Sequence, residues 1–93
     1  MADTNPVSLT RSLLAFDTIN PPGDERICAH HVGGFLEESG FRVDYHEFGT
    51  QRTSLVARLV GSGTKSPICF TGHLDTVPLG KMNWSMDPFA GEM

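Results

Sequence analysis

Residues 41–60, FRVDYHEFGTQRTSLVARLV, contain two runs in which apolar and polar side chains alternate. In the first run every second residue from Phe41 to Tyr45 is apolar, and residues 53–60 repeat the pattern. Alternation with a period of two is typical of a strand that has one face in solvent. Residues 49–51, Gly-Thr-Gln, separate the runs and are suited to a turn. The stretch therefore predicts two strands joined by a short turn.

A third strand is expected just downstream, in the apolar run of residues 67–72, PICFTG. This run does not alternate, which is typical of a strand covered on both faces. Cys69 lies in its middle and is expected to be a small buried thiol. The glycines of residues 61–63, GSG, predict a hairpin turn before this strand.

Two helices are predicted before the strands. In residues 7–17 apolar side chains recur at intervals of three and four, and residues 21–23, Pro-Pro-Gly, end that pattern. The second helix is predicted to begin at Asp24 as its N-cap and to end at Gly40 as a left-handed stop. The apolar stripe of this second helix is expected to comprise Ile27, Cys28, Val32, Phe35 and Leu36.

The element order, two helices and then three strands, predicts an α/β fold with a mixed sheet in one domain over residues 1–93. Residues 73–93 have no periodicity and predict a long loop, which in a compact domain is usually functional or unfinished. The strand of residues 67–72 would leave an unpaired edge. We therefore expect self-association, strand swapping or pairing with another chain unless further strands are supplied.

The composition excludes several classes of protein. Seven basic and eleven acidic residues give a net charge of −4, which argues against nucleic-acid or anionic-membrane partners. No apolar run is long enough to span a bilayer, and the first residues lack the pattern of a secretory signal. Two cysteines are too few for a disulfide framework and suit a reducing compartment. We therefore expect a cytoplasmic protein.

The strongest candidate for chemistry is His73, with Asp75 two residues later, at the end of the third predicted strand. Ligands of open α/β sheets bind beyond the carboxyl ends of the strands. Neutral imidazole is a good ligand for zinc-like metals, and its second ring nitrogen needs an acceptor such as Asp75. The same residues are also compatible with a turn capped by Asp75 and a structural His73, so the spacing alone leaves both interpretations open.

Three segments resemble the M20 metallopeptidase family, which includes acetylornithine deacetylase, succinyl-diaminopimelate desuccinylase and carboxypeptidase G-like enzymes. The segments are residues 72–78, GHLDTVP, residues 84–91, WSMDPFAG, and residues 19–25, INPPGDE. They occur in the family's order and together extend across the chain. The resemblance implies a zinc-peptidase-like catalytic domain.

The resemblance also implies a reaction. His73 corresponds to a ligand of one of two catalytic zinc ions, for which cobalt can substitute, and Asp75 to the catalytic aspartate that orients this histidine. The implied activity is hydrolysis of an amide bond in an N-acyl amino acid or small peptide by a metal-bound water, with a glutamate as general base. Which residues bind the substrate stays unknown.

Other residues that the family needs have no counterpart here, namely the bridging aspartate, the glutamate pair, a further carboxylate ligand and the last histidine. Glu25 and Glu92 do not match these positions. We therefore expect the 93 residues to be the N-terminal part of a catalytic domain, without an inserted lid or dimerisation domain, and inactive alone because zinc needs three or four protein ligands. The alternative is a truncated, non-catalytic binding or assembly module.

Two further interpretations are weaker. A structural zinc cluster of cysteines and histidines has no paired spacing to support it, and a buried thiol and surface or structural imidazoles are expected instead. The candidates for that cluster are Cys28, His30, His31, Cys69 and His73. A nucleophilic hydrolase lacks a G-x-S-x-G elbow, and residues 61–66 lack the spacing of a phosphate loop.

Overall fold

A computed structural model describes residues 4–91 of the chain. It contains two helices and two strands in one antiparallel sheet, which confirms the α/β class. Within the described residues, neither helix is long and apolar enough to cross a membrane. The elements are α1 (Pro6–Leu14), α2 (Arg26–Glu38), β1 (Arg42–Gly49) and β2 (Arg52–Arg58).

Helix α1 begins with a side-chain cap and lies on the surface. The Asn5 side-chain oxygen accepts from the backbone N–H groups of Val7, at 2.9 Å, and Ser8, at 3.1 Å. Pro6 occupies the first turn, where its missing N–H costs nothing. The helix ends at Leu14, three residues before the predicted end, and none of its residues is buried. It therefore contributes little to the core.

Helix α2 begins one residue later than predicted. Glu25, not Asp24, occupies the N-cap position, and its side chain makes no capping hydrogen bond. The prediction of Asp24 as the cap is wrong because the turn before the helix is held by another interaction. The buried Glu25 carboxylate pairs with Arg52 on β2, so the residue at the helix start is joined to the hairpin.

The predicted end of α2 is confirmed. Gly40 has a φ of 96°, in the left-handed region that favours glycine. Its N–H donates to the carbonyl of Glu37, and the N–H of Phe41 donates to the carbonyl of Leu36, both at 3.0 Å. These two bonds are those of a Schellman motif, which satisfies the last carbonyls of a helix.

The core lies where small residues of α2 meet the hairpin. Cys28, Ala29 and Gly33 are the buried residues of the helix. The prediction for Ile27 is wrong, since its side chain is 65% exposed. One residue is about 100° of helical rotation, so the burial of Cys28 turns Ile27 toward solvent. The other members of the predicted stripe are half-buried, namely Val32, Phe35 and Leu36.

The two alternating runs form the predicted hairpin. Val43 lies opposite Ala57, and Tyr45 lies opposite Leu55. Gln51 in the turn has a φ of 58°, and the register shifts between Glu47 and Gly49. This irregularity is a β-bulge, which re-aims side chains locally. The bulged residue Phe48 reaches the guanidinium of Arg52, 5.0 Å from the ring centroid.

The prediction of a third strand over residues 67–72 is wrong. This segment pairs with no strand among the described residues, so the sheet is antiparallel and not mixed. Ile68 and Phe70 are 79% and 87% exposed, and Cys69 is exposed, not buried. A strand of this composition needs neighbours on both faces and a paired backbone, and residues 4–91 supply neither. Gly63 accordingly lies in a bend and not in a hairpin turn.

The long loop forms no helix or paired strand in its described part, but it is held to the rest of the chain. Ile19 and Thr76 form a parallel bridge, in which the N–H of Thr76 donates to the Thr18 carbonyl at 3.0 Å. The Thr18 hydroxyl also donates to the Leu74 carbonyl, at 2.6 Å. Further along, the Arg11 side chain donates to the Gly91 carbonyl. Glu92 lies outside the described residues.

We expect Gly33→Ala to destabilise the protein. A Cβ at this position would lie 1.9 Å from the Tyr45 hydroxyl oxygen, and the tyrosine ring is stacked on His30 at 4.0 Å. Overpacking of this kind costs about 1–3 kcal/mol in the free energy of unfolding, measurable by urea denaturation followed by circular dichroism. Gly34→Ala is the control, since its Cβ would meet open space and should stabilise the helix by about 0.5–1 kcal/mol. Equal changes in the free energy of unfolding for Gly33→Ala and Gly34→Ala would contradict the close contact between Gly33 and Tyr45.

We expect Thr18→Val to loosen the contact between residues 18 and 74–76. Valine has nearly the same shape as threonine but leaves the Leu74 carbonyl without its hydrogen-bond donor at 2.6 Å. This loss should lower the free energy of unfolding by about 1–3 kcal/mol. Amide hydrogen exchange at Thr76 should accelerate, because its N–H donates to Thr18. Thr10→Val is the control, since the Thr10 hydroxyl bonds within an exposed helix. Unchanged exchange at Thr76 would refute the contact.

Candidate metal-ligating site

His73 lies beyond the exposed segment of residues 67–72, and its ring is bonded on one side only. Its Nδ1 is 2.9 Å from the backbone oxygen of Asp75 and 2.9 Å from the Oδ1 of the same residue. Both oxygens accept hydrogen bonds, so Nδ1 carries the hydrogen. In the neutral ring Nε2 then keeps its lone pair. The side chain is 83% exposed, so a lone-pair donor is presented to solvent.

The other carboxylate oxygen of Asp75 is also held. Oδ2 accepts from the side-chain amide of Asn20 at 3.1 Å and lies 3.9 Å from Nη2 of Arg52. The hydrogen bond from Asn20, then the bond from His73 and the nearby Arg52 charge lower the pKa of Asp75 below its ordinary value. The aspartate is therefore ionised at neutral pH and serves the imidazole as an acceptor.

Arg52 is fixed by a second carboxylate. Its Nε and Nη2 donate to Glu25 at 3.1 and 2.6 Å, a bidentate arrangement, and the Glu25 side chain is only 5% exposed. The hydrogen bond to Glu25 raises the pKa of Arg52. A buried carboxylate is tolerated only when it is paired and hydrogen-bonded, and Arg52 meets this need. The pair thus places a permanent positive charge near Asp75.

These side chains border an open cavity of about 620 Å³. It lies between β2 and residues 71–75, so the His73 ring and the Asp75 carboxylate meet open space. The buried Thr53 also lines the cavity, and its hydroxyl has no hydrogen-bond partner among the described residues. The cavity therefore combines a histidine, a charged carboxylate and an unsatisfied hydroxyl on one side of the hairpin.

The donor set is compatible with one metal ligand and not with a complete site. A metal-binding imidazole normally has its other N–H held by a carboxylate or carbonyl, and His73 has both. Structural zinc takes four ligands, and catalytic zinc three protein ligands with an open position. Residues 4–91 contain no group of three or more histidine, cysteine or acidic side chains that could hold a metal ion.

The cysteines and histidines considered for a structural zinc cluster lie in separate environments. Cys28 is buried, and burial raises the pKa of its thiol. The His30 ring stacks on Tyr45, and the His31 ring contacts that of Phe16 at 5.2 Å. Each of these two rings thus has an aromatic neighbour, and both histidines are exposed.

Three residues at the site were not identified as functional from the sequence. Asn20 and Glu25 lie in the segment INPPGDE, which was noted only as a motif, and nothing singled out Arg52. Asn20 is 55 residues from Asp75, so their contact depends on how the loop folds back. The sequence signal for Asn20 was its position as a polar residue directly before Pro-Pro-Gly in one of the three motifs.

Comparison with known proteins identifies the relatives of the chain. It is 39% identical over 93 residues to the succinyl-diaminopimelate desuccinylase of Wolbachia sp. subsp. Brugia malayi, an alignment that covers 96% of this chain and 22% of that protein. The enzyme of the same name from Rhodospirillum centenum is 38% identical over 95 residues, covering 96% and 23%. That from Gluconobacter oxydans is 39% identical over 92 residues, covering 94% and 22%.

The chain thus spans about a fifth of the length of the curated relatives it matches. No family model matches it, and no solved structure does. The alignments nevertheless extend over nearly the whole chain. The chain therefore belongs to the M20 family, together with the succinyl-diaminopimelate desuccinylases.

Proposed function

We propose that this chain provides one metal-ligating edge of a hydrolase that removes an acyl group from an amino acid by breaking an amide bond. The observation that carries the proposal is the His73 ring, whose Nδ1 is held by Asp75 at 2.9 Å while Nε2 keeps a lone pair that can bind a metal ion. The names of the relatives support the reaction class, since a desuccinylase removes a succinyl group.

Each residue of the site has a part in this proposal. Asp75 accepts the Nδ1 hydrogen, so the tautomer is set and the basicity of Nε2 is raised. Because the Asp75 carboxylate is ionised, it also stabilises the positive charge that the ring shares on binding a cation. Bound zinc or cobalt would supply a water of lowered pKa and would polarise the amide carbonyl.

The remaining ligands and the general base would come from outside residues 4–91, since one imidazole does not hold a metal pair. The 93 residues alone are therefore expected to lack enzymatic turnover. The proposed substrate is a small N-acyl amino acid of the kind named for the relatives, N-succinyl-diaminopimelate.

Zinc titration of the 93-residue chain tests the ligand. We expect weak binding by calorimetry, lost in His73→Ala and weakened about 10- to 100-fold in Asp75→Asn, because outer-shell partners of metal ligands have effects of this size. His46→Ala is the matched control, since this exposed histidine lies on β1 and should leave binding unchanged. Tight zinc binding that survives His73→Ala would contradict the proposal.

A chimera tests the activity. The chain would replace the aligned residues of the Brugia malayi Wolbachia desuccinylase, and hydrolysis of N-succinyl-diaminopimelate would be measured. We expect activity in the chimera and its loss in the His73→Ala version, with the His46→Ala version retaining it. A folded but inactive chimera would favour the non-catalytic module instead. Turnover by the 93 residues alone would contradict their dependence on outside ligands.

A further inference from the structure

We propose that Asn20 is a positioning residue, which holds the Asp75 carboxylate so that Oδ1 faces His73. This gives a function to the INPPGDE motif, to which no role has yet been assigned. The inference rests on the proposed function of His73 as a metal ligand. It concerns the ring orientation and tautomer of His73, which exist before any metal binds.

The geometry at Asp75 divides the two carboxylate oxygens between two partners. Oδ1 is 2.9 Å from Nδ1 of His73, and Oδ2 is 3.1 Å from Nδ2 of Asn20. A carboxylate held at one oxygen only can rotate about the Cβ–Cγ bond of the aspartate. The hydrogen bond from Asn20 to Oδ2 restricts this rotation and so keeps Oδ1 directed at His73. Arg52 lies 3.9 Å from Oδ2, too far for a hydrogen bond, and contributes charge without direction.

Asn20 is itself held in place by its backbone. Its N–H donates to the Thr76 carbonyl at 2.8 Å, while its side chain donates to Asp75. One residue thus binds two consecutive residues of the opposite segment. The turn behind it is closed by the N–H of Gly23, which donates to the Ile19 carbonyl at 2.9 Å. The amide that reaches Asp75 therefore stands on a fixed backbone.

The end of the same motif holds Arg52 against this turn. Glu25 binds the guanidinium in two places, and a Cβ at Gly23 would lie 2.5 Å from that guanidinium. Gly23 has a φ of 87°, so glycine is favoured there for its backbone as well as for the close contact. The motif thus brings the Asn20 amide and the Arg52 charge to the same carboxylate oxygen.

A purely structural role for Asn20 predicts a different outcome from a positioning role. Asn20→Asp keeps the backbone bond to Thr76 and nearly the same shape, but it replaces the amide donor with an acceptor facing Oδ2. The two carboxylates would repel each other, so Oδ1 would no longer be directed at Nδ1.

The test is nitrogen NMR of the His73 ring in the 93-residue chain without metal, in mildly alkaline buffer. The ring signals are assigned by their loss in His73→Gln. We expect the Nδ1–H tautomer in the natural sequence. Its share should fall in Asn20→Asp and Asn20→Ala, because the backbone oxygen of Asp75 would be the one acceptor left to Nδ1. Asn5→Asp is the matched control, since aspartate also caps a helix, and it should leave the ring unchanged.

Zinc affinity provides the second measurement. We expect Asn20→Asp to weaken binding about 10-fold or more, toward the effect of Asp75→Asn, while amide shifts of β1 and β2 show the hairpin intact. Asn5→Asp, the same chemical change at the cap of α1, should leave affinity unchanged. Mixed tautomers in the natural sequence, or a pure Nδ1–H tautomer in Asn20→Asp, would overturn the positioning role. Zinc binding of unchanged affinity in His73→Ala would overturn the proposed function instead, whichever tautomer is observed.

Discussion

The parallel bridge between residues 18–20 and 74–76 is the contact on which the site depends. Its backbone bonds join Thr76 to Thr18 and to Asn20 at 3.0 and 2.8 Å. Hydrogen bonds between backbone groups position residues without regard to side-chain identity. The side chains of Thr18 and Asn20 add two further hydrogen bonds, to residues 74 and 75. These bonds hold the loop that carries His73 and Asp75 beside residues 18–20.

The hairpin and α2 supply the support beneath this bridge. Their interface is made by small side chains, with Gly33 against Tyr45 and the buried Cys28 and Ala29 nearby, so the helix lies close to the strands. The Glu25–Arg52 ion pair joins the beginning of α2 to the beginning of β2. Because this pair is mostly withdrawn from solvent, each partner requires the other. The same arginine faces Asp75, so the packing of the hairpin and the charge at the site are connected.

Much apolar surface remains outside this small core. Ile68 and Phe70 are almost fully exposed, and they lie in the segment that leads directly to His73. An apolar run that favours a strand stays unpaired when the neighbouring strands it requires are not within the described residues. The proposed metal site is similar, because residues 4–91 provide one oriented imidazole and no group of three or more possible ligands.

Local patterns were enough to predict both helices, the hairpin, the left-handed end of α2 at Gly40 and the family, because each depends on residues close together in the chain. The proximity of His73 and Asp75 is local in the same sense, being a separation of two residues. Tertiary structure alone decided the start of α2, the exposure of Ile27 and the lack of a third strand within residues 4–91. It also decided the contacts of Asn20 and Arg52 with Asp75, which join residues 55 and 23 positions apart. Such contacts join segments that are far apart in the chain, and the spacing of neighbouring residues does not predict them. For this reason only the tertiary structure gives the orientation of the Asp75 carboxylate.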